Sequence, residues 1–448
     1  MILRRLAATL AIVTLVGACS SGATSSPSTA PASAAAGSPA PSSAASPAPS
    51  TAGKVTITWW NNANTDPGKT FNQTVVDEYM AAHPNVTIEI SAMQNEDFKT
   101  KLPLALNSST PPDIFASWGG GGLRQQVEAG KVKDLTADMA SWANTINVGA
   151  LGLWQVDGKQ YGIPFTLGLV GFWYNKDFFT KAGVTTPPAT WDDFLADVPK
   201  IKATGVAPIS LGEKDAWTGA FWWEYLALRE CGKDKMGAAV KNNSFEDPCF
   251  VKAGEDLQTL IDLKPFNDGF LGTPAQTGAT SAAGLLANGK TSMELMGQWE
   301  PGVMGPLTPD GKGLGDKLGW FPFPTVSGGA GAITEGIGGG DGYAISVNAP
   351  PEALDFLKYY VSVDVMKRRG ALNDGTLPTT IGAESSVTDP NLKDLLAKRS
   401  EATFVQLYLD QAFSAQVGQA INDAVAGQFS GSLKAAEVQA AVQAATKK

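Results

Sequence analysis

Lys54-Val-Thr-Ile-Thr-Trp-Trp-Asn-Asn-Ala-Asn-Thr-Asp-Pro-Gly68 opens the informative part of the chain, an alternating β-rich run that breaks into turn chemistry. The alternation predicts a strand over Lys54–Trp60. Phe71, Val75 and Tyr79 then recur at helical spacing until Pro84 stops the pattern. Val86-Thr-Ile-Glu-Ile90 reads as a second strand, Asp97–Leu106 as a helix, and Pro112-Asp-Ile-Phe-Ala-Ser-Trp118 as a third strand running into Gly119–Gly122. Strand, helix, strand, helix, strand is the rhythm of a parallel α/β sheet. Ligands collect at the carboxyl ends of such strands, where Asn61, Asn62 and Trp118 lie.

Outward from this stretch, the C-terminal third predicts amphipathic helices over Leu354–Tyr360, Ala402–Val417 and Ser432–Ala445. The chain of 448 residues exceeds the size at which one core usually divides, so two domains are expected. A formal charge of -9 without a basic block argues against nucleic acid or an anionic membrane surface as partner. One histidine, His83, and three cysteines leave little for a metal centre or a His-based triad, and no metal or other cofactor is expected. Neither glycine run is a phosphate-binding loop, because no Gly-Lys-Ser/Thr follows.

Met1–Arg5 is basic and Leu6–Val16 apolar, too short for a mature membrane span, which predicts a signal peptide over 1–18. Leu15-Val-Gly-Ala-Cys19 resembles a bacterial lipobox and makes Cys19 a lipid acceptor. Ser20–Ser50 contains only Ser, Ala, Pro, Gly and Thr, so residues 19–53 are read as a lipidated cysteine and disordered tether. The expected location is the extracellular face of the cytoplasmic membrane. In that oxidising compartment Cys231 and Cys249 are expected to pair and pin a polar surface excursion.

All twelve tryptophans fall between Trp59 and Trp320. An indole is a flat apolar plate with one polar atom, suited to the C–H face of a sugar while amides and carboxylates meet its hydroxyls. Trp118 and Trp299 are the first candidates because each ends an element beside Gly, Gln or Glu.

The order of signal, lipobox, tether and Val-Thr-Ile-Thr-Trp-Trp strand resembles the extracellular solute-binding lipoproteins of bacterial ABC importers, in the carbohydrate-binding branch that includes maltose-binding protein. Tyr161-Gly-Ile-Pro164, Gly171-Phe-Trp-Tyr-Asn-Lys-Asp-Phe-Phe179, Trp191-Asp-Asp-Phe194, Asn288-Gly-Lys-Thr-Ser-Met-Glu-Leu-Met-Gly-Gln-Trp299 and Gly340-Asp-Gly-Tyr-Ala-Ile-Ser346 extend the resemblance in register. It implies a periplasmic-binding-protein-like fold, two α/β lobes joined by a hinge with a ligand cleft between them. Lobe one would comprise 54–134 with 321–374, and lobe two 135–320 with 375–448. It also implies capture of a neutral di- to tetrasaccharide such as xylobiose, cellobiose or a chitooligosaccharide, by a monomer that delivers it to an ABC permease. The expected ligand set is Trp118, Trp299, Asn61, Asn62, Asn95, Glu96, Tyr174, Trp217, Trp222, Glu300 and Asp341. No enzymatic activity is expected. The rival readings are a cell-surface glycan adhesion module and a glycoside hydrolase, the latter needing two carboxylates placed across a glycosidic bond.

Overall fold

The structure is a computed structural model that describes residues 53–447. The signal peptide, Cys19 and the tether as far as residue 52 lie outside the described residues.

The opening stretch folds as its pattern predicts. Val55–Asn61 lies parallel between Val86–Ala92 and Ile114–Ser117, with Ile57 opposite Ile88 and Trp59 opposite Ile114. Gly68–Ala82 and Asn95–Leu106 are the intervening helices. The sheet is mixed rather than all parallel, because Gly342–Ile345 and Gly162–Pro164 extend it antiparallel. Its core closes around Trp59, whose ring meets Tyr343, Phe356 and Tyr360 edge-on at 5.2, 5.3 and 5.5 Å. Burial of one such indole is worth roughly 4–6 kcal/mol of transfer free energy before entropy is counted.

The second lobe carries two sheets. One runs Leu318–Phe321, Gly171–Asn175, Thr291–Met296, Ala207–Ser210, and the other Phe404–Leu407, Glu335–Gly339, Gly168–Leu169. The long helix Trp217–Asn242 packs against both and breaks at Gly232, where φ is 71°. Cys231 and Cys249 are joined at that break. The bond is as expected, but both cysteines are buried at a helix junction rather than set in a polar surface excursion. Closing a loop of that length contributes roughly 3 kcal/mol in the chain-entropy account.

Two further expectations are corrected. Ala402–Val417 is not one helix: Phe404–Leu407 is a strand parallel to Glu335–Gly339, followed by a short helix Leu409–Ala412 and then Ala415–Phe429. The β-branched and aromatic run Thr-Phe-Val-Gln-Leu-Tyr408 finds an open sheet edge there, and pairing outweighs the weak helical spacing. The lobe boundaries also move. Leu135, Met139, Trp142, Trp154 and Ile163 belong to the core around Trp59, whereas Phe321, Phe323 and Ile337 belong to the second core. The bond from Lys133 N–H to Ile345 O ties the start of this segment to the first sheet, and Leu135 N–H donates to Gln160 O within the segment.

The chain therefore crosses between lobes near 165–169, 337–342 and 374–380, and the three crossings lie side by side. Phe165 N–H donates to Asp341 O at 2.9 Å, Leu167 N–H to Leu377 O at 3.2 Å, and Leu377 N–H to Thr166 Oγ1 at 2.9 Å. Arg399 Nη1 closes the bundle by donating to Leu167 O at 2.8 Å.

Candidate functional site

These crossings form the floor of a cavity of about 320 Å³ between the lobes. Its walls are element ends. From the first lobe come the turn after Val55–Asn61, the start of the helix Asn95–Leu106, and Trp118 at the end of Ile114–Ser117. From the second come Trp217 at a helix start, Trp299 after Thr291–Met296, and Tyr408 after Phe404–Leu407.

Trp118 is half-buried, with Phe98 edge-on at 5.7 Å. The glycines that follow it serve close approach. Gly119 has φ 74°, and a Cβ there would stand 2.3 Å from Leu153 O. A Cβ on Gly120 would stand 2.3 Å from Gln411 O, so this run lets the second lobe's 409–413 segment sit against the first lobe.

Gln94 caps its helix by accepting from the backbone of Glu96 and Asp97 at 2.8 and 3.1 Å. That cap turns Asn95, Glu96 and Lys99 toward the facing lobe. Glu96 Oε1 accepts from Asn95 Nδ2 at 2.7 Å and from Trp217 Nε1 at 3.2 Å. Lys99 Nζ lies 5.4 Å from the Trp217 ring centroid and 5.9 Å from that of Trp118. Gln94 Nε2 adds a bond to Thr277 Oγ1 at 3.3 Å. Trp299 stands 6.4 Å from Trp217 and 6.1 Å, edge-on, from Tyr408.

The floor is charged. Arg369 donates to Asp374 Oδ2 at 2.7 Å and to Thr376 Oγ1 at 3.0 Å, and its guanidinium lies 5.2 Å from the Phe71 ring centroid. Asp341 faces the cavity from the second crossing. Loss of water around its carboxyl pushes its pKa up to about 6, against the lowering effects of a hydrogen bond from the Trp118 indole and the nearby Arg369 charge. Asp66, Asp341, Asp374 and Asp410 outnumber Lys99 and Arg369 along the walls, so the cavity is net acidic.

Of the residues named from sequence, Asn62, Asn95, Trp118, Trp217, Trp299 and Asp341 line this cavity. The other five do not. Asn61 is buried at its strand end, where its side chain accepts from Ala63 N–H at 3.0 Å and turns the chain. Glu96 acts behind the wall, on Trp217. Tyr174 packs on Phe179 and Phe321 at 4.3 and 5.4 Å. Trp222 sits among Phe172, Phe194 and Phe323. Glu300 is wholly buried beside Glu294. Desolvation pushes Glu300 up to about 8 and Glu294 well above the usual carboxylate range. Sequence reasoning missed Arg369, Asp374 and Tyr408. One signal was present: Asn373-Asp-Gly375 is a turn, and its glycine has φ 91° with Gln298 O only 2.1 Å from where a Cβ would stand.

Aromatic plates on both lobes over a floor of carboxylates and one guanidinium can hold a flat-faced, hydroxyl-bearing solute and be drawn together by it. Among the described residues no group of three His, Cys, Asp or Glu side chains is placed to hold a metal ion. No helix among them is long and apolar enough to cross a membrane. Fold and site together define a two-lobe α/β protein of the solute-binding class.

The chain belongs to the bacterial extracellular solute-binding protein family, whose profile matches residues 62–367. It is 33% identical over 277 residues to an uncharacterised ABC transporter extracellular-binding protein of Pyrococcus horikoshii, a match spanning 60% of each chain. It is 26% identical over 347 residues to a diacetylchitobiose binding protein of Streptomyces coelicolor, covering 74% of this chain and 75% of the relative. A structure from work on xylan utilisation by Caldanaerobius polysaccharolyticus superposes with TM-score 0.80 at 29% identity, covering 87% of this chain and 99% of that one. A chitin oligosaccharide binding protein shares the fold at TM-score 0.79 and 22% identity, covering 88% and 98%.

Proposed function

We propose that the chain captures a neutral di- to tetrasaccharide outside the cell and hands it to the membrane subunits of an ABC importer. The observation that carries this reading is the cavity faced by Trp118, Trp217, Trp299 and Tyr408, with Asp341 among them. Rings supply stacking area, and the carboxylate accepts from hydroxyls. The diacetylchitobiose binding protein among the relatives supports a sugar ligand. Because the rings come from both lobes, a bound sugar stabilises the approached lobes over the separated ones, and the permease would read that population shift. In the same reading Met1–Ala18 is removed, Cys19 carries lipid, and the protein works as a tethered monomer.

The test is calorimetric titration of the body from Lys54 onward with xylo-, cello-, malto- and chitooligosaccharides, with product analysis of each mixture. Saturable 1:1 binding with the sugar recovered intact is expected. Cleavage of any sugar would replace capture with glycoside hydrolysis, and silence across the panel would remove the sugar assignment.

A further inference from the structure

Three helices of the second lobe start in a regular way. Thr190, Asp247 and Ser281 precede them in extended backbone, and each side chain accepts from a backbone N–H of the first turn. The long helix Trp217–Asn242 breaks both rules. Ala216 stands at its start without a capping side chain. Its φ of 61° with ψ of -36° falls outside even the left-handed well that Asn243 occupies at the other end, with φ 54° and ψ 40°. A residue with a Cβ is strained in that conformation.

The bonds around Ala216 hold it there. Its N–H donates to Glu213 O at 3.1 Å, and Lys214 N–H donates to Thr273 O at 3.1 Å. Asp215 Oδ2 accepts from Ala275 N–H at 2.7 Å, and Thr218 Oγ1 donates to Gly212 O at 2.9 Å. Ala275 is anchored in turn, because its carbonyl accepts from Ala283 N–H at 3.1 Å. Residues on both sides of Ala216 are thus fixed within one lobe, which leaves the strain no easy way to relax. The next residue is Trp217, which lines the interlobe cavity and donates from Nε1 to Glu96 Oε1 of the other lobe at 3.2 Å. Neither Asp215 nor Ala216 is part of that lining. A negative φ at Ala216 would swing the start of the helix relative to Asp215 and carry the indole with it.

We infer that Asp215 and Ala216 are positioning residues for ligand capture. Asp215 clamps the turn, the clamp holds Ala216 at positive φ, and that φ presents the Trp217 ring to the cavity before any ligand arrives. The inference rests on the capture reading and adds to it the device that pre-organises one of its rings. Local strain beside a binding residue is tolerated because the ring then needs no ordering when the ligand binds.

The test sets two substitutions that break the turn against two that keep it. Ala216→Val puts a branched side chain where positive φ is least tolerated, and Asp215→Ala removes the acceptor of Ala275 N–H. Ala216→Gly adopts positive φ freely, and Asp215→Asn keeps a side-chain oxygen for the same bond. Two readings are taken: affinity for xylo-, cello-, malto- and chitooligosaccharides, and the fluorine resonance of 5-fluorotryptophan at position 217 in the ligand-free protein, assigned by its loss in Trp217→Phe. The breaking variants should lose about tenfold in affinity and shift or broaden that resonance, while the keeping variants match the wild type in both. Where Ala216→Val does not fold, the Asp215 pair decides. A turn that served stability alone would lower the denaturant midpoint and leave affinity and resonance unchanged, which overturns the inference and leaves capture standing. Keeping variants that lose as much affinity as the breaking ones overturn it too. If no sugar binds the wild type, capture falls, and an unmoved resonance in the breaking variants takes the positioning role down separately.

Discussion

Two aromatic groups in this protein look alike in sequence and do opposite things. Around Trp222, the rings of Phe172, Phe194, Phe266 and Phe323 close on every side with centroids 5.4 to 6.3 Å away. Around Trp299, the rings of Trp217 and Tyr408 approach at 6.4 and 6.1 Å, and the side chain also lines the interlobe cavity. A tryptophan with aromatic neighbours can belong to a core or to a binding surface. What separates them is whether a ring's last face is taken by the chain itself or left for something else.

The comparison breaks first at its strongest contrast. Trp222→Ala should cost about 3–5 kcal/mol of stability, because it opens a cavity in a packed core, read as the shift of a denaturant midpoint. Trp299→Ala should leave that midpoint nearly in place and weaken sugar binding by about 2 kcal/mol, roughly 30-fold in dissociation constant. If the two variants behave alike in both assays, the distinction is wrong.

Acidity sharpens it further. An ionised Asp341 accepts from a hydroxyl, so affinity should rise roughly tenfold from pH 5 to pH 7 as the group titrates near 6, and Asp341→Asn should flatten the profile. The core pair Glu294 and Glu300 should speak in stability instead. The folded state holds a proton that the unfolded chain releases near 4.5, so stability falls as pH climbs from there through about 8. Melting of Glu294→Gln across that range should show a shallower fall. The smallest effect belongs to Glu96→Ala, which removes the acceptor of Trp217 Nε1. About 1 kcal/mol, or fivefold in affinity, should be lost, with scattering showing more separated lobes in the free protein.

The opening βαβαβ unit was legible because alternation, turn chemistry and helical spacing agree along one short stretch. Trp118 and Trp299 were legible for a related reason, since each ends an element where a ring can leave the packed layer. Tyr174 and Trp222 were not, because an aromatic inside a strand or helix buried on all sides carries the same local signature as one facing a cleft. Arg369, Asp374 and Tyr408 escaped because the crossings that gather them join parts of the chain some two hundred residues apart, as Leu377 and Thr166 do. The lobe boundaries were misplaced for the same reason: Leu135 to Phe165 reveals its side only through pairing with the far strand Gly342–Ile345.

That interleaving has a practical consequence. The described chain enters through Val55–Asn61 in one lobe and finishes with the helix Ala435–Ala445 in the other. Its two ends are therefore carried by the two bodies that a ligand would draw together. A donor dye near Lys54 and an acceptor near Lys447 would turn lobe motion into energy transfer, making the protein its own optical gauge of cargo without any alteration of the cleft.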